Sequence, residues 1–171
     1  MGFTEDELHI LNEMIGSSDR AGAIVGAAFL EDKILTAISS RLVNDKNTID
    51  KLFKPGKPIG TLSVKAELGY LMGIYSEATR DEILKVAWIR NRFAHWTEPV
   101  SFGLKIIERE CHSLELPERF AASMIPDYKA PEFDSAGHPP GYWAKYRYAH
   151  FIDTMATLLY GAAKDIRMKI P

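Results

Sequence analysis

The sequence has few of the features that mark secreted or membrane-spanning proteins. It contains one cysteine, Cys111, in 171 residues, so no disulfide can form within one chain. No apolar run reaches the roughly 18 residues that a membrane-spanning helix needs. The first ten residues, MGFTEDELHI, lack the basic start and apolar core of a secretory signal peptide. These absences predict a cytoplasmic protein in a reducing compartment, without membrane contact.

An excess of positive charge is also missing. Lys and Arg total 21 and Asp and Glu total 23, which gives a formal net charge of −2, and the pI is near 6.2. Proteins dedicated to nucleic acids are usually basic, so the overall charge disfavours that class but allows a local basic patch. A length of 171 residues with 46% apolar and 26% charged residues is typical of one folded globular domain. We therefore predict a single domain over residues 1–171.

Strand-like alternation of apolar and polar residues is absent, and helical periodicity covers most of the chain. A loop is predicted at KPGKPIG, residues 54–60, because proline and glycine punctuate it. Residues 115–141 contain five prolines and are predicted as a long irregular loop. A last helix is predicted over residues 142–170. The expected fold is an all-α bundle of about five to seven helices.

Polar residues interrupt the most apolar of these helices, which is predicted over residues 78–95. The segment IRNRFAHW, residues 89–96, places Arg90, Asn91 and His95 after a mostly apolar run. A buried group of this kind needs a partner, since each one left unpaired costs about 1–3 kcal/mol. A structural interpretation is that Arg90 pairs with a buried carboxylate, while the other two cap the helix end. The candidate members of structural ion pairs are Asp19, Arg20, Glu31, Asp32 and Glu67.

A catalytic interpretation of the same three residues is the alternative. His95 suits proton transfer near neutral pH, and Arg90 suits a phosphate group whose charge grows in the transition state. Asn91 could orient the imidazole ring. Arg90 and His95 are five residues apart, about 140° around an ideal helix, so the two do not point at one atom. A shared site therefore needs either an unwound helix end before Pro99 or a second chain, and the second chain predicts a homodimer.

The order Arg90–Asn91–x–x–x–His95 resembles the R-N/H-x-x-x-H motif of HEPN-type domains. A wider resemblance is to the mannitol operon repressor family. Three blocks carry it: DRAGAIVGAAFLEDKI (19–34), IGTLSVKAELGYLMGI (59–74) and ILKVAWIRNRFAHW (83–96). The resemblance implies a HEPN-like all-α fold, often dimeric, and a non-enzymatic regulator of transcription. The motif implies a metal-independent endoribonuclease as the alternative, and a protein-interaction module that binds no nucleic acid is the third interpretation.

Few other residues point to a binding site. The candidates for nucleic-acid contact are Arg92, Lys54 and Lys57. Aromatic residues of the last helix could stack bases, although core packing is the favoured interpretation; they are Tyr142, Trp143, Tyr146, Tyr148 and Phe151. No metal site is predicted, because no second ligand pair accompanies residues 110–112 at metal-binding spacing. We expect no cofactor, and a partner that is DNA, RNA or another regulatory protein.

Overall fold

The computed structural model describes residues 5–129, 137–165 and 167–171, and for residues 5–9 and 11 it describes the backbone alone. Within these ranges the chain forms eight helices and one isolated bridge, between Tyr75 and Ile170. The predicted all-α helical bundle is confirmed. No helix in the described part of the chain is long and apolar enough to cross a membrane.

The helices follow one another through short connections. Their bounds are α1 (Glu5–Gly16), α2 (Asp19–Ser39), α3 (Lys46–Phe53), α4 (Leu62–Leu71), α5 (Glu77–His95), α6 (Lys105–His112), α7 (Leu116–Met124) and α8 (Tyr142–Lys164). Short polar side chains fix four of the starts by accepting a hydrogen bond from a backbone N–H in the first turn. These N-cap residues are Ser18, Asp45, Thr61 and Ser76, at the starts of α2 to α5.

Helix α2 packs most extensively against α8, and small residues permit this close approach. A Cβ atom added to Gly26 would lie 2.9 Å from Ile152 on α8, and one added to Gly22 would lie 2.4 Å from the carbonyl oxygen of Met14 on α1, so small residues of α2 admit both neighbouring helices. The hydroxyl of the fully buried Tyr148 donates to the Ala23 carbonyl at 2.8 Å, which joins the N-terminal halves of the two helices.

The predicted irregular loop over residues 115–141 is wrong for its first part, which forms α7. Pro117 lies in the first turn of that helix, where its missing N–H breaks no intrahelical hydrogen bond. Leu116 and Pro117 are buried in the bundle, so packing stabilises a short helix that proline content alone argued against. Residues 130–136 of the predicted loop lie outside the described residues.

The predicted last helix over residues 142–170 is too long, because α8 ends at Lys164. The chain then returns to the start of α5, where the Ile170 N–H donates to Ile74 and the Ser76 N–H donates to Ile170, each at 2.9 Å. Ile170 is also buried in the core. These two hydrogen bonds and this burial explain why the chain leaves the helical path.

Candidate functional site

Helix α5 carries the motif on an exposed surface. Thr79, Glu82, Ile83, Val86, Ala87, Ile89 and Phe93 form its buried side. Arg90, Asn91 and His95 are all exposed. The predicted burial of these residues is therefore wrong. The apolar residues Leu84 and Trp88 lie at the edge of the core, half-buried, so α5 is not surrounded by protein on every side.

The predicted ion pair between Arg90 and a buried carboxylate is also wrong. The Arg90 guanidinium is exposed and donates from Nη1 to Oδ1 of its neighbour Asn91 at 3.0 Å. An exposed arginine needs no protein counter-charge, because water solvates it at little cost. Most of its five N–H donors are therefore available for other contacts.

Arg90 and Asn91 border an open cleft of about 360 Å³. Its walls come from all three blocks that resemble the mannitol operon repressor family: α2, the start of α4 and α5. Small residues leave the space, and polar side chains face it; the lining includes Ala27, Glu31, Gly60, Ser63, Ala87, Arg90 and Asn91. His95 lies at the last residue of α5, outside this lining. The structure therefore brings Arg90 and Asn91 together in one cleft and leaves His95 apart.

A charged pair forms one wall of this cleft. Lys65 Nζ lies 2.5 Å from Glu31 Oε1, with 3% of the Lys65 side chain exposed and 27% of the Glu31 side chain. Glu31 borders both the cleft and a neighbouring cavity of about 300 Å³, which Lys65 also lines. Because the lysine neutralises Glu31, Arg90 contributes the uncompensated charge among the lining residues that the structure describes.

The remaining ion-pair candidates contact other partners. Asp19 does form an ion pair, with Lys145 at 3.4 Å, and it also accepts the Phe102 N–H at 2.9 Å. Arg20 donates to the Trp96 carbonyl at 3.0 Å, which satisfies a backbone group just beyond α5. Glu67 lies 3.6 Å from Arg80. Asp32 is exposed and borders the neighbouring cavity.

The structure separates the three candidates for nucleic-acid contact. The Arg92 guanidinium lies between two indole rings, 4.7 Å from the Trp88 centroid and 4.8 Å from that of Trp96. Lys54 forms an exposed ion pair with Asp50 at 2.8 Å. Lys57 is exposed in the loop before α4. The sequence contains a signal for this stack. Trp88, Arg92 and Trp96 are four residues apart, a spacing that brings side chains to the same helix face.

A buried carboxylate that the sequence analysis missed lies on the inner side of α5. Glu82 is 4% exposed. It accepts the N–H groups of Glu115 and Leu116 at 3.0 and 3.1 Å. It also accepts two donors from Arg119, at 2.5 and 3.3 Å. Its partners are more than 30 residues away in sequence, so no local pattern indicates the interaction.

The aromatic residues of α8 divide into two groups. Tyr148 and Phe151 are buried, as core packing predicted, whereas Tyr142 and Tyr146 are 37% and 39% exposed. The two cations between them bind the protein itself. Lys145 donates to the Ser17 carbonyl and Arg147 to Glu118, both at 2.6 Å. This side of α8 therefore presents aromatic rings without the cations that would bind a nucleic-acid backbone.

The buried Cys111 is unsuited to nucleophilic chemistry. Burial raises the pKa of its thiol well above the ordinary range, so the reactive thiolate is disfavoured. Among the described residues, no group of three or more His, Cys, Asp or Glu side chains could hold a metal ion.

No protein-family model and no curated protein sequence matches the chain. Among solved structures, it is similar to a chain in the X-ray structure of the MtlR–HPr complex from Escherichia coli. The identity is 18%, the match covers 96% of this chain and 100% of that chain, and the TM-score is 0.56. A likeness at this identity establishes a shared fold. The fold of this neighbour covers the all-α bundle of the chain almost from end to end.

Proposed function

We propose that this chain is a non-enzymatic regulatory protein that acts by binding a protein partner. The observation that carries the proposal is the fold likeness, over 96% of the chain, to a structure of MtlR in complex with the protein HPr. The exposed setting of Arg90, Asn91 and His95 supports it, because surface residues are available to a partner. The same proposal has three further parts. The chain regulates transcription, it acts as a single-domain homodimer, and it is located in the cytoplasm.

The test is calorimetric titration of the purified chain with HPr from the same organism. We expect saturable binding with a Kd of about 10 µM or tighter, which corresponds to a regulatory interface of modest size. An unrelated acidic protein of similar size serves as the control for non-specific binding. Absence of saturable heat and of any shift in size-exclusion elution at about 100 µM of both proteins would contradict the proposal.

A second candidate function is a metal-independent endoribonuclease with a site composed from two chains. The exposure of Arg90 and His95 favours it, because both side chains are available to RNA. Because α5 remains helical to His95, the angular separation of the two residues favours a site to which each chain supplies one of the two groups.

The second candidate predicts RNA cleavage in EDTA that Arg90→Ala and His95→Ala each abolish. Because Arg90 is exposed, we expect Arg90→Ala to change the free energy of unfolding by less than about 0.5 kcal/mol, so lost cleavage would not reflect unfolding. Arg109→Ala is the matched control, since Arg109 is 73% exposed and pairs with the adjacent Glu110. RNA of varied sequence that stays intact, or cleavage that survives both substitutions, argues against this function.

A further inference from the structure

The last two turns of α5 present an open surface beside the cleft, which we call the outer face of α5. Asn91 and His95 are exposed on it, and Trp88 and Trp96 are half-buried. Trp88 packs against the core, so its position is fixed. Tryptophan and arginine are enriched at the positions that dominate the energetics of protein–protein interfaces. Fixed indole rings beside exposed polar groups therefore give this face the composition of a protein-binding surface.

One arginine of the outer face is held by its flat sides alone. The Arg92 guanidinium lies over the indole rings of Trp88 and Trp96, 4.7 and 4.8 Å from their centroids. These contacts use the faces of the guanidinium, and its N–H donors point outward in its plane. Among the described residues, no atom accepts a hydrogen bond from the Arg92 side chain. Arg92 is therefore pre-positioned to donate two parallel hydrogen bonds to a carboxylate.

Three arginines around the outer face lack the counter-charges that other arginines of the chain have. Arg20 donates to the Trp96 carbonyl at 3.0 Å, so it lies beside the same tryptophan as Arg92. Arg90 and Arg92 are two residues apart, about 200° around an ideal helix, so they flank the face from opposite sides. None of the three is ion-paired with a carboxylate of the described residues. Five other arginines are ion-paired: Arg80, Arg109, Arg119, Arg147 and Arg167.

The acidic residues near these arginines do not cancel their charge. Two of them already have lysine partners; they are Asp19 and Glu31. Glu98 is exposed two residues beyond Trp96 and offsets one positive charge. Three arginines against this one carboxylate leave a local surplus of two positive charges, although the formal net charge of the chain is −2. The outer face is therefore complementary to a negatively charged partner.

The size of the surplus favours an acidic protein segment over a nucleic acid. A protein that contacts about 6–10 phosphates of DNA needs an extended row of cations. Here the cations are three arginines at one end of a helix, and Lys54 is already paired with Asp50. The half-buried indole rings between the arginines also suit apolar side chains, which a protein segment carries and a phosphate backbone lacks.

We propose that the outer face of α5 binds an acidic segment of a protein partner, with one carboxylate held by Arg92 and others by Arg20 and Arg90. This inference rests on the proposed function, because it gives the chemistry of the partner which that function requires.

The test is a titration of the full-length chain with a blocked peptide of glutamate, alanine and leucine, and with its counterpart in which glutamine replaces every glutamate. Binding is followed by the indole N–H signals of Trp88 and Trp96 in two-dimensional NMR spectra. The third tryptophan of the chain, Trp143 on α8, is the internal control. We expect the glutamate peptide to bind about tenfold more tightly than the glutamine peptide and to leave the Trp143 signal unchanged. A uridine oligonucleotide of similar length, titrated in parallel, should bind more weakly than the glutamate peptide.

Variants locate the carboxylate contacts. Arg92→Gln should weaken binding of the glutamate peptide about tenfold and leave the glutamine peptide unaffected. Arg90→Gln, at an exposed position outside the indole stack, should weaken it about threefold without disturbing the two tryptophan signals of the free protein. Arg167→Gln is the matched control, since Arg167 is a 90% exposed arginine of the segment that returns to the start of α5.

Four results would overturn the proposal. They are equal binding of the two peptides, unchanged affinity in Arg92→Gln, absence of any saturable shift, and an oligonucleotide that binds more tightly than the glutamate peptide. The last of these would assign the outer face to nucleic acid.

Failure of this inference is distinguishable from failure of the proposed function. HPr that binds the natural chain and Arg92→Gln with equal affinity would support regulation through a protein partner and overturn this site. A glutamate peptide that binds as expected while HPr does not bind would support the site and contradict HPr as the partner.

Discussion

Replacement of Glu82 by alanine is expected to destabilise the protein by about 2–5 kcal/mol, because two backbone N–H groups lose their acceptor at about 1–3 kcal/mol each and Arg119 loses its counter-charge. The carboxylate is 4% exposed and interacts with four donors from the start of α7. Its removal leaves the N–H groups of Glu115 and Leu116 without acceptors and Arg119 without its counter-charge. Domain stabilities are about 5–15 kcal/mol, so this single change removes a large share of the total.

The position of Glu82 explains why its replacement should loosen the first turn of α7 in particular, in addition to lowering the free energy of unfolding of the whole domain. No side chain of α7 caps its own first turn, and Glu82 performs this role from α5 by placing a negative charge at the positive end of α7. Arg119 also donates to Thr79 at 3.1 Å, and Thr79 donates to the Pro171 carbonyl. We therefore expect the amides of Glu115 and Leu116 to lose their protection from hydrogen exchange before the rest of the bundle.

The control for Glu82→Ala is Glu67→Ala on α4. The Glu67 side chain is 50% exposed and lies 3.6 Å from Arg80, an arginine that also contacts Glu77 and Asp81. A surface pair of this kind contributes about 0–1 kcal/mol, so we expect almost no change in stability. Chemical denaturation of both variants measures the difference. A loss below about 1 kcal/mol in Glu82→Ala would mean that water replaces the missing carboxylate and that the site is not a buried ion pair.

Local sequence signals were sufficient to predict most of the helices of the fold. The short polar residues Ser18 and Thr61 precede helical periodicity in the sequence, and both cap helices in the structure. Helix α7 was missed because proline was taken as a breaker, whereas Pro117 occupies the first turn. Whether a proline ends or starts a helix depends on the packing of the residues after it, and the local sequence does not contain that information.

The candidate site was predicted less well, for a related reason. The sequence located Arg90 and Asn91 on α5, and the structure places both at an open cleft. Their burial was inferred from the apolar residues of α5 alone, but exposure depends on which neighbouring helices cover each side. The opposite error concerns Glu82 and Lys65, two charged residues that are buried. Nothing near them in the sequence indicates this burial, because their partners Arg119 and Glu31 are more than 30 residues away. Helical periodicity detects neighbours within one helix and gives no information about contacts between helices.

The second large loss of stability is expected at the ion pair of Glu31 and Lys65. Replacing Glu31 should cost more free energy of unfolding than replacing Lys65. Glu31→Ala leaves an ammonium group that is 3% exposed without a counter-charge, so we expect a loss of about 3–5 kcal/mol. Lys65→Met leaves a carboxylate that is 27% exposed and that water can reach. Its cost should be about 1 kcal/mol, because a methionine fills much of the same space and the residual charge is hydrated.

The decisive measurement is the double variant Glu31→Ala with Lys65→Met. If the loss in Glu31→Ala comes from the unpaired ammonium, Lys65→Met should restore at least about 2 kcal/mol of it. Asp50→Ala is the control, since Asp50 and Lys54 form an exposed pair with side chains 36% and 62% accessible. We expect that control to lose less than about 1 kcal/mol. A double variant no more stable than Glu31→Ala would show that the loss arises from missing packing instead of from charge.

The stability of the double variant also indicates whether the Glu31–Lys65 ion pair serves stability or binding. Buried ion pairs often contribute little net stability compared with apolar residues of similar volume. If the double variant is nearly as stable as the natural chain, stability alone does not account for a carboxylate at the wall of the cleft that holds Arg90 and Asn91. Glu31 would then be important for what the cleft binds, and the partner titration repeated with the double variant should show weaker binding at unchanged stability. Unchanged binding would place the partner on another surface of the bundle.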